Sequence, residues 1–467
     1  MCRKTPPNRP WFLRLWPFVH CVPPSRGHRG NSGVLRAEAE GSRGTKNNRH
    51  DHPRAKEEGL VPSVATLAVS AAFTAGAAVR GLLLMWNVGV DFERDPLLVE
   101  PSASVTCRRE VFYLLRHNIS TLAATTPACF EQPCVFLLAG WHGWILMGKP
   151  DALPEWTAGA AIILVELACA RLLLVLRGSV SVAGHCACIV LLLSPWNVVA
   201  CAAMSTAALP ALLMLLAVCM AWKHHQIGSA ASLATATIIS PDYAWLLPVL
   251  ARLASDAHAG DAHPALRVVA AYGLWVCVLG LALSALSDDA LPWLVAGVQT
   301  WLEGGAADRP PNVGMWWYLM VLLDSLPEVR ATSVAAMHIL PRLSILALAA
   351  MMPRGNARGI APPFLPMALS FAVLVATKIH PVMPEVVLAV AFAGAQLDGC
   401  LLARCRMLPA AVIGVFVGAL ISRPLLSEWI DHRQLNANFF YASAMLFSSA
   451  QLLLVYDITA AALSAYA

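Results

Sequence analysis

Charge is scarce in this chain. Only 13% of its 467 residues are Asp, Glu, Lys or Arg, against roughly 25% in an ordinary soluble domain. Hydrophobic residues make up 58%. A core this apolar has nowhere to put its surplus except lipid. The balance excludes a soluble enzyme, a nucleic-acid-binding domain and a disordered chain. Catalytic signatures are missing as well: there is no G-x-S-x-G, no H-E-x-x-H and no P-loop. The 13 Cys show no disulfide framework. Most lie in apolar runs (Cys169, Cys186, Cys188, Cys201, Cys219, Cys277), where they act as small apolar side chains. Cys186 with Cys188, and Cys400 with Cys405, lack the paired Cys/His spacing of a zinc site, so no metal and no cofactor is expected. Cys107, Cys129 and Cys134 sit in a polar stretch, where pairing is open if that stretch is luminal.

The net charge of +5 is uneven. Residues 1–58 hold 12 Lys/Arg and 5 Asp/Glu, while the other 409 residues hold 21 and 23. The excess basicity belongs to the first 58 residues, which read as a disordered cytosolic arm and an orientation signal rather than a nucleic-acid surface. Residues 59–460 read as a polytopic membrane domain, and 461–467 as a short tail. The fold class is therefore all-α, membrane-embedded, with roughly eight to twelve crossings.

Apolar runs follow one another from about 61–90 onward, near 134–148, 157–176, 178–193, 196–221, 228–253, 266–287, 291–302, 313–326, 331–351, 363–377, 382–399, 407–421 and 439–456. Those at 134–148, 291–302 and 313–326 are short of the ~20 residues a crossing needs and read as re-entrant or interfacial. Pro195, Pro210, Pro248, Pro381 and Pro384 interrupt others. Broken helices survive in a membrane only where neighbours or a cavity satisfy the freed backbone groups, which favours an internal cavity over a plain bundle. A cytosolic arm places the loop 91–133 in the lumen, where Asn118-Ile119-Ser120 is a glycosylation sequon. The basic loop with Arg404 and Arg406 is then cytosolic, and 422–437 luminal.

The densest polar signal is Asn436-Ala437-Asn438-Phe439-Phe440-Tyr441, at the start of an apolar helix. One Asn suffices as a cap, and the second is left over. Amides that donate and accept suit sugar hydroxyls and phosphate oxygens, and aromatics beside them suit a membrane interface. Asn312 to Tyr318 is a turn followed by Trp316, Trp317 and Tyr318, which reads either as an interfacial belt or as a lipid-facing groove. Three polar groups are assigned to structure. Gln451 should pair with another helix, Asp457 ends the last run, and Lys378 of Lys378-Ile379-His380-Pro381 either pairs with Glu385 or snorkels from a surface loop. Glu166 and Arg171, five apart, do not share a face, so any intramembrane pairing is with other helices. Asp91, Glu93, Asp95 and Glu100 form the acidic cluster of the loop after the first span, either solvated or suited to a metal–sugar-phosphate donor.

Several of these stretches match one family in order. Asn436 to Tyr441 resembles its N-S-N-F-F-Y, Gln451 to Asp457 its Q-I-L-L-x-x-D, and Pro311 to Tyr318 its P-N-x-G-x-x-W-Y. Lys378 to Pro381 resembles K-x-Y-P, with His380 for Tyr, and Leu193-Ser194-Pro195-Trp196 resembles L-N-P-Y. The sequence is thus similar to the PIG-U subunits of the glycosylphosphatidylinositol (GPI) transamidase. The resemblance implies a fold like that of GT-C membrane enzymes and a multi-pass location in the endoplasmic reticulum membrane. It also implies other transamidase subunits as partners, among them a Cys-protease-like catalytic one. Its implied role is non-catalytic: to bind and present the GPI lipid, with Asn436, Asn438, Phe439, Asn312, Trp316, Trp317 and Tyr318 as contacts. The alternative is a GPI-pathway mannosyltransferase, whose paired acidic residues would fall near Glu100-Pro101-Ser102.

Overall fold

The structure is a computed structural model and describes residues 64–86, 155–177, 181–257, 263–286, 312–323, 325–352 and 363–466, with isolated positions 95, 97–99 and 295. The arm 1–58, the sequon, Asp91, Glu93, Glu100, the three Cys of the polar stretch and most of 291–302 lie outside these. So does the run at 134–148. The described residues belong to one compact unit, Val64–Ala467.

That unit is helical, with no strand among the described residues. In chain order the helices are α1 (Val64–Met85), α2 (Glu155–Arg177), α3 (Val182–Leu193), α4 (Pro195–Ala202), α5 (Ala208–Trp222) and α6 (Gln226–Ile239). A 3₁₀ turn (Pro241–Leu246) leads to α7 (Leu247–Ala257), α8 (Pro264–Leu286), α9 (Trp317–Leu323) and α10 (Pro327–Met351). The chain ends with α11 (Leu365–Ala376), α12 (Met383–Gln396), α13 (Gly399–Arg404), α14 (Leu408–Ile430) and α15 (Ala437–Tyr466). The last helix runs past residue 460, so most of the expected tail is helical.

Six of these helices are long and apolar enough to cross a membrane: α1, α2, α8, α10, α14 and α15. The pair α3 and α4, bent by 44°, passes the same test only when taken together, as a broken span or a re-entrant loop, which brings the total among the described residues to six or seven. The apolar runs 363–377 and 382–399 read as separate in the sequence. In the structure they form a hairpin, α11 and α12, of 12 and 14 residues. At 1.5 Å per residue these reach about 18 and 21 Å, short of the roughly 30 Å hydrocarbon layer. The run 228–253 likewise breaks at Ser240 into α6, the 3₁₀ turn and α7. The run 313–326 holds only the seven-residue α9, too short to cross, as expected.

Proline accounts for many of these breaks. Pro195, Pro384 and Pro248 all sit at the start of a helix, where the missing N–H costs nothing. Pro341 and Pro424 are helix-internal. Pro341 cannot donate to the carbonyl of Met337. The neighbouring Arg342 compensates, its Nη1 donating to Met337 O (3.4 Å) and His338 O (2.7 Å).

The tightest helix pair is α14 with α15. A Cβ on Gly418 would stand 2.8 Å from Phe447 Cβ and 2.9 Å from its Cα, and one on Gly414 2.8 Å from Ala450 Cβ. One turn further, Ser422 Oγ lies 3.1 Å from Ser443 Oγ. Small residues every fourth position let the backbones approach, which is how membrane helices gain packing without a hydrophobic drive.

Candidate functional site

The hairpin tip organises one side of the bundle. All six residues from Thr377 to Val382 are buried, as are all of α11 except Pro366 and all of α12 except Val390 and Gly394. Lys378 therefore does not snorkel from a surface loop. Its Nζ lies 3.1 Å from each carboxylate oxygen of Glu385, with both side chains buried, and Tyr243 OH donates to Glu385 Oε1 at 3.3 Å. Beside this pair, Arg342 of α10 forms an ion pair with Asp242 of the 3₁₀ turn, both also buried. Asp242, Tyr243, His338 and Arg342 were not anticipated as a cluster. The available signal was an Arg and a His inside the apolar run 331–351.

The turn Asn312–Trp316 covers the tip. Asn312 Nδ2 donates to His380 Nδ1 at 2.9 Å, and Asn312 Oδ1 accepts from Gly314 N at 2.7 Å. Trp316 Nε1 donates to Thr377 O at 3.1 Å. A Cβ on Gly314 would stand 2.4 Å from Ile379 O, so only glycine permits this approach. From the other side Met383 N donates to Leu97 O at 2.8 Å. Asp95 caps that short segment by accepting from Leu97 N at 2.9 Å and pairs with Arg423 at 3.3 Å. Burial pushes the Asp95 carboxyl above its ordinary range, while Leu97 N–H and Arg423 pull it back.

The same segment climbs from the middle of the bundle to its rim. Ser448, eleven residues into α15 and so about 16 Å from its start, donates to Val313 O at 3.5 Å. Four residues later, Trp317 meets Phe440 and Trp429 with ring centroids 5.6 Å apart in each case. Tyr318 meets Tyr441 at 4.7 Å. The two motifs read separately from the sequence thus form one aromatic cluster, with Trp429 of α14 as an added member. Trp317 is buried, and its indole N–H has no partner among the described residues.

The predicted contacts divide by position. Asn436 and Asn438 are both exposed, and Asn436 Oδ1 accepts from Asn438 N at 3.1 Å. Asn436 is therefore the cap, and the Asn438 side chain is left over. Phe439 is 57% exposed and stays outside the aromatic cluster, whereas Phe440 is buried in it. Trp316 and Tyr318 are half-buried. Asn312 is buried with both ends of its amide engaged, so it holds the turn and presents nothing to a ligand.

The other polar groups build the frame. Asp457 accepts from the N–H groups of Arg406 (3.0 Å), Met407 (2.9 Å) and Leu408 (2.8 Å). It caps α14 from about fifty residues away and lies opposite the rim. Gln451 was expected to pair with another helix. Its Nε2 instead donates to Phe447 O of its own helix at 3.3 Å. Glu166 pairs across helices with Arg80 at 2.6 Å rather than with Arg171.

No group of three His, Cys, Asp or Glu among the described residues is placed to hold a metal. No curated protein matches the chain. The model of one protein family, described as GPI transamidase subunit PIG-U, matches residues 74–447.

Proposed function

The chain belongs to the PIG-U family of GPI transamidase subunits, and from that premise we propose that it holds the GPI lipid for chemistry carried out by another subunit. The headgroup lies at the rim where α9, α14 and α15 meet. The Asn438 amide contacts a glycan hydroxyl or phosphate oxygen, and Phe439 lies along the lipid. Trp316 and Tyr318 flank the site, Asn312 and His380 fix the turn that carries them, and Asn436 fixes the start of α15. The complex works in the endoplasmic reticulum membrane with the rim facing the lumen, beside a Cys-protease-like subunit.

One observation carries this reading. The Trp317–Tyr318 and Phe440–Tyr441 pairs lock together and leave a spare amide and an uncovered Phe at the same edge. A purely structural cap needs one Asn and no exposed aromatic.

The test is Asn438→Ala in the intact complex. GPI attachment to a proprotein should fall while the other subunits still co-purify. Unchanged attachment would remove Asn438 from the site. Loss of the whole complex would make it a structural residue.

A further inference from the structure

Arg171 breaks a pattern that the other helices keep. A charge deep in an apolar helix is answered from within the chain: Arg80 by Glu166, Arg342 by Asp242, Arg423 by Asp95, and Asp457 by three backbone N–H groups. Arg171 belongs to α2, in the stretch Gly159–Arg177 that is long and apolar enough to cross a membrane, and it is exposed. It has no carboxylate partner and no hydrogen bond among the described residues. Glu166, the acid of the same helix, is buried and taken by Arg80. On the inner side the Arg171 charge acts on the Cys188 thiol of α3, which is no counter-ion.

Depth decides between two readings of this residue. Arg171 stands six residues before Arg177, the end of α2, which is about 9 Å along the axis. A snorkelling arginine stretches along its helix to the nearer headgroups. Here the nearer end is the C-terminal one, and every Cα–Cβ bond of a helix tilts towards the N-terminus. The side chain therefore sets out towards the middle of the span, away from the nearer headgroups. The other reading is a counter-charge on protein. Ionisable residues within a membrane as a rule face the interior of a bundle and pair there. A charge on the outside of this chain then belongs inside a larger assembly. Its surroundings suit a helix. Leu164, Ala168, Arg171 and Val175 recur at helical spacing and form one stripe. Leu164 is 67% exposed and Val175 42%, while Ala168, half-buried, leaves room one turn before the guanidinium.

We propose that this stripe of α2 docks a membrane helix of another transamidase subunit, and that the helix brings an Asp or Glu to Arg171. The planar guanidinium offers paired donors that a carboxylate takes two at a time. Membership of a family of complex subunits supplies a reason for such a helix to be present. The surface is independent of the headgroup reading, because α2 contributes nothing to the rim.

The test uses the intact complex in membranes. A photo-crosslinking residue at Leu164 should give an adduct with a membrane helix of another subunit, and that helix should carry an Asp or Glu. Adducts with lipid alone, or with a helix that has no acid, overturn the proposal. Charge gives the second readout. Arg171→Leu makes the span more apolar and so leaves its insertion intact. It should lower recovery of the crosslinked subunit by about tenfold or more on purification in mild detergent, whereas Arg171→Lys, which keeps the charge, should retain most of it. Undiminished recovery with the leucine variant, the outcome a snorkelling arginine predicts, also overturns the proposal.

Discussion

At the residue scale the most consequential pair is Lys378 with Glu385. Both charges are buried, and the pair is completed by Tyr243. Removing one partner of such a pair costs about 3–5 kcal/mol, because the other charge stays in the interior. Glu385→Ala should therefore strongly lower the thermal stability of the purified complex. Lys378→Met combined with Glu385→Leu should recover much of the loss in the same melting assay. Asn436 and Asn438 also separate at this scale. Asn436→Ala removes the side-chain oxygen that caps α15 and should cost about 1 kcal/mol of stability. Asn438→Ala should cost less stability and more GPI attachment. If the two variants have the same profile in both assays, the division of labour between cap and contact fails. The sequence showed two Asn where one cap suffices, but only the backbone geometry decides which one caps. Phe439 and Phe440 could not be ranked either, since adjacent residues on a helix face different directions and the neighbouring helices decide which is covered.

At the element scale, the interruptions were legible and their partners were not. Pro, Asn and Gly mark the turn at Asn312–Gly314 and the tip at Lys378–Pro381 in the sequence, because backbone irregularity needs those residue types. That the two interruptions meet, through Asn312–His380 and Trp316–Thr377, leaves no local trace. The same holds for Asp457. Its carboxylate reads as the polar end of a helix, yet it serves the start of another. In uniformly apolar helices the periodicity that normally reveals a buried face is weak, so pairing is set by small residues and buried charges. Gly418 gives the clearest test. Gly418→Val places side-chain atoms where Phe447 already sits and should cost about 1–3 kcal/mol, read as reduced yield and melting temperature of the complex. Gly273→Ala in α8 meets nothing within 4 Å and should be neutral or slightly stabilising. Equal damage from both would mean that α14 and α15 do not pack as described.

At the scale of the whole molecule, two different ends emerge. One is closed by Asp457 on the start of α14 and by Arg404 Nη1 donating to Ser464 O at 2.6 Å. The other is open and aromatic, with irregular backbone running from its rim to the hairpin tip. Composition alone established the membrane class, and the order of motifs established the family. Hydropathy did not separate crossings from buried arms at 363–377 and 382–399, because an apolar run of 12 to 15 residues serves equally as half a span or as a buried hairpin arm. The assembly makes a prediction of its own. Affinity purification in mild detergent should recover a Cys-protease-like chain together with this one. Recovery of this chain alone, with mannose transfer from dolichol phosphomannose that Asp95→Ala abolishes, would favour the mannosyltransferase alternative. The structure gives Asp95 another task, a pair with Arg423 and a cap on Leu97.

The central claim is that the aromatic rim, and no other part of the surface, meets the GPI headgroup. The most direct measurement places a photo-crosslinking residue at Phe439, or at Tyr456 as a control, in complexes assembled in membranes that contain radiolabelled GPI. Both positions are exposed, at 57% and 69%, and they lie toward opposite ends of α15. The account predicts labelled adducts from position 439 and none above background from 456. Equal labelling at the two positions, or no labelling at 439 in a complex that still attaches GPI, would contradict it.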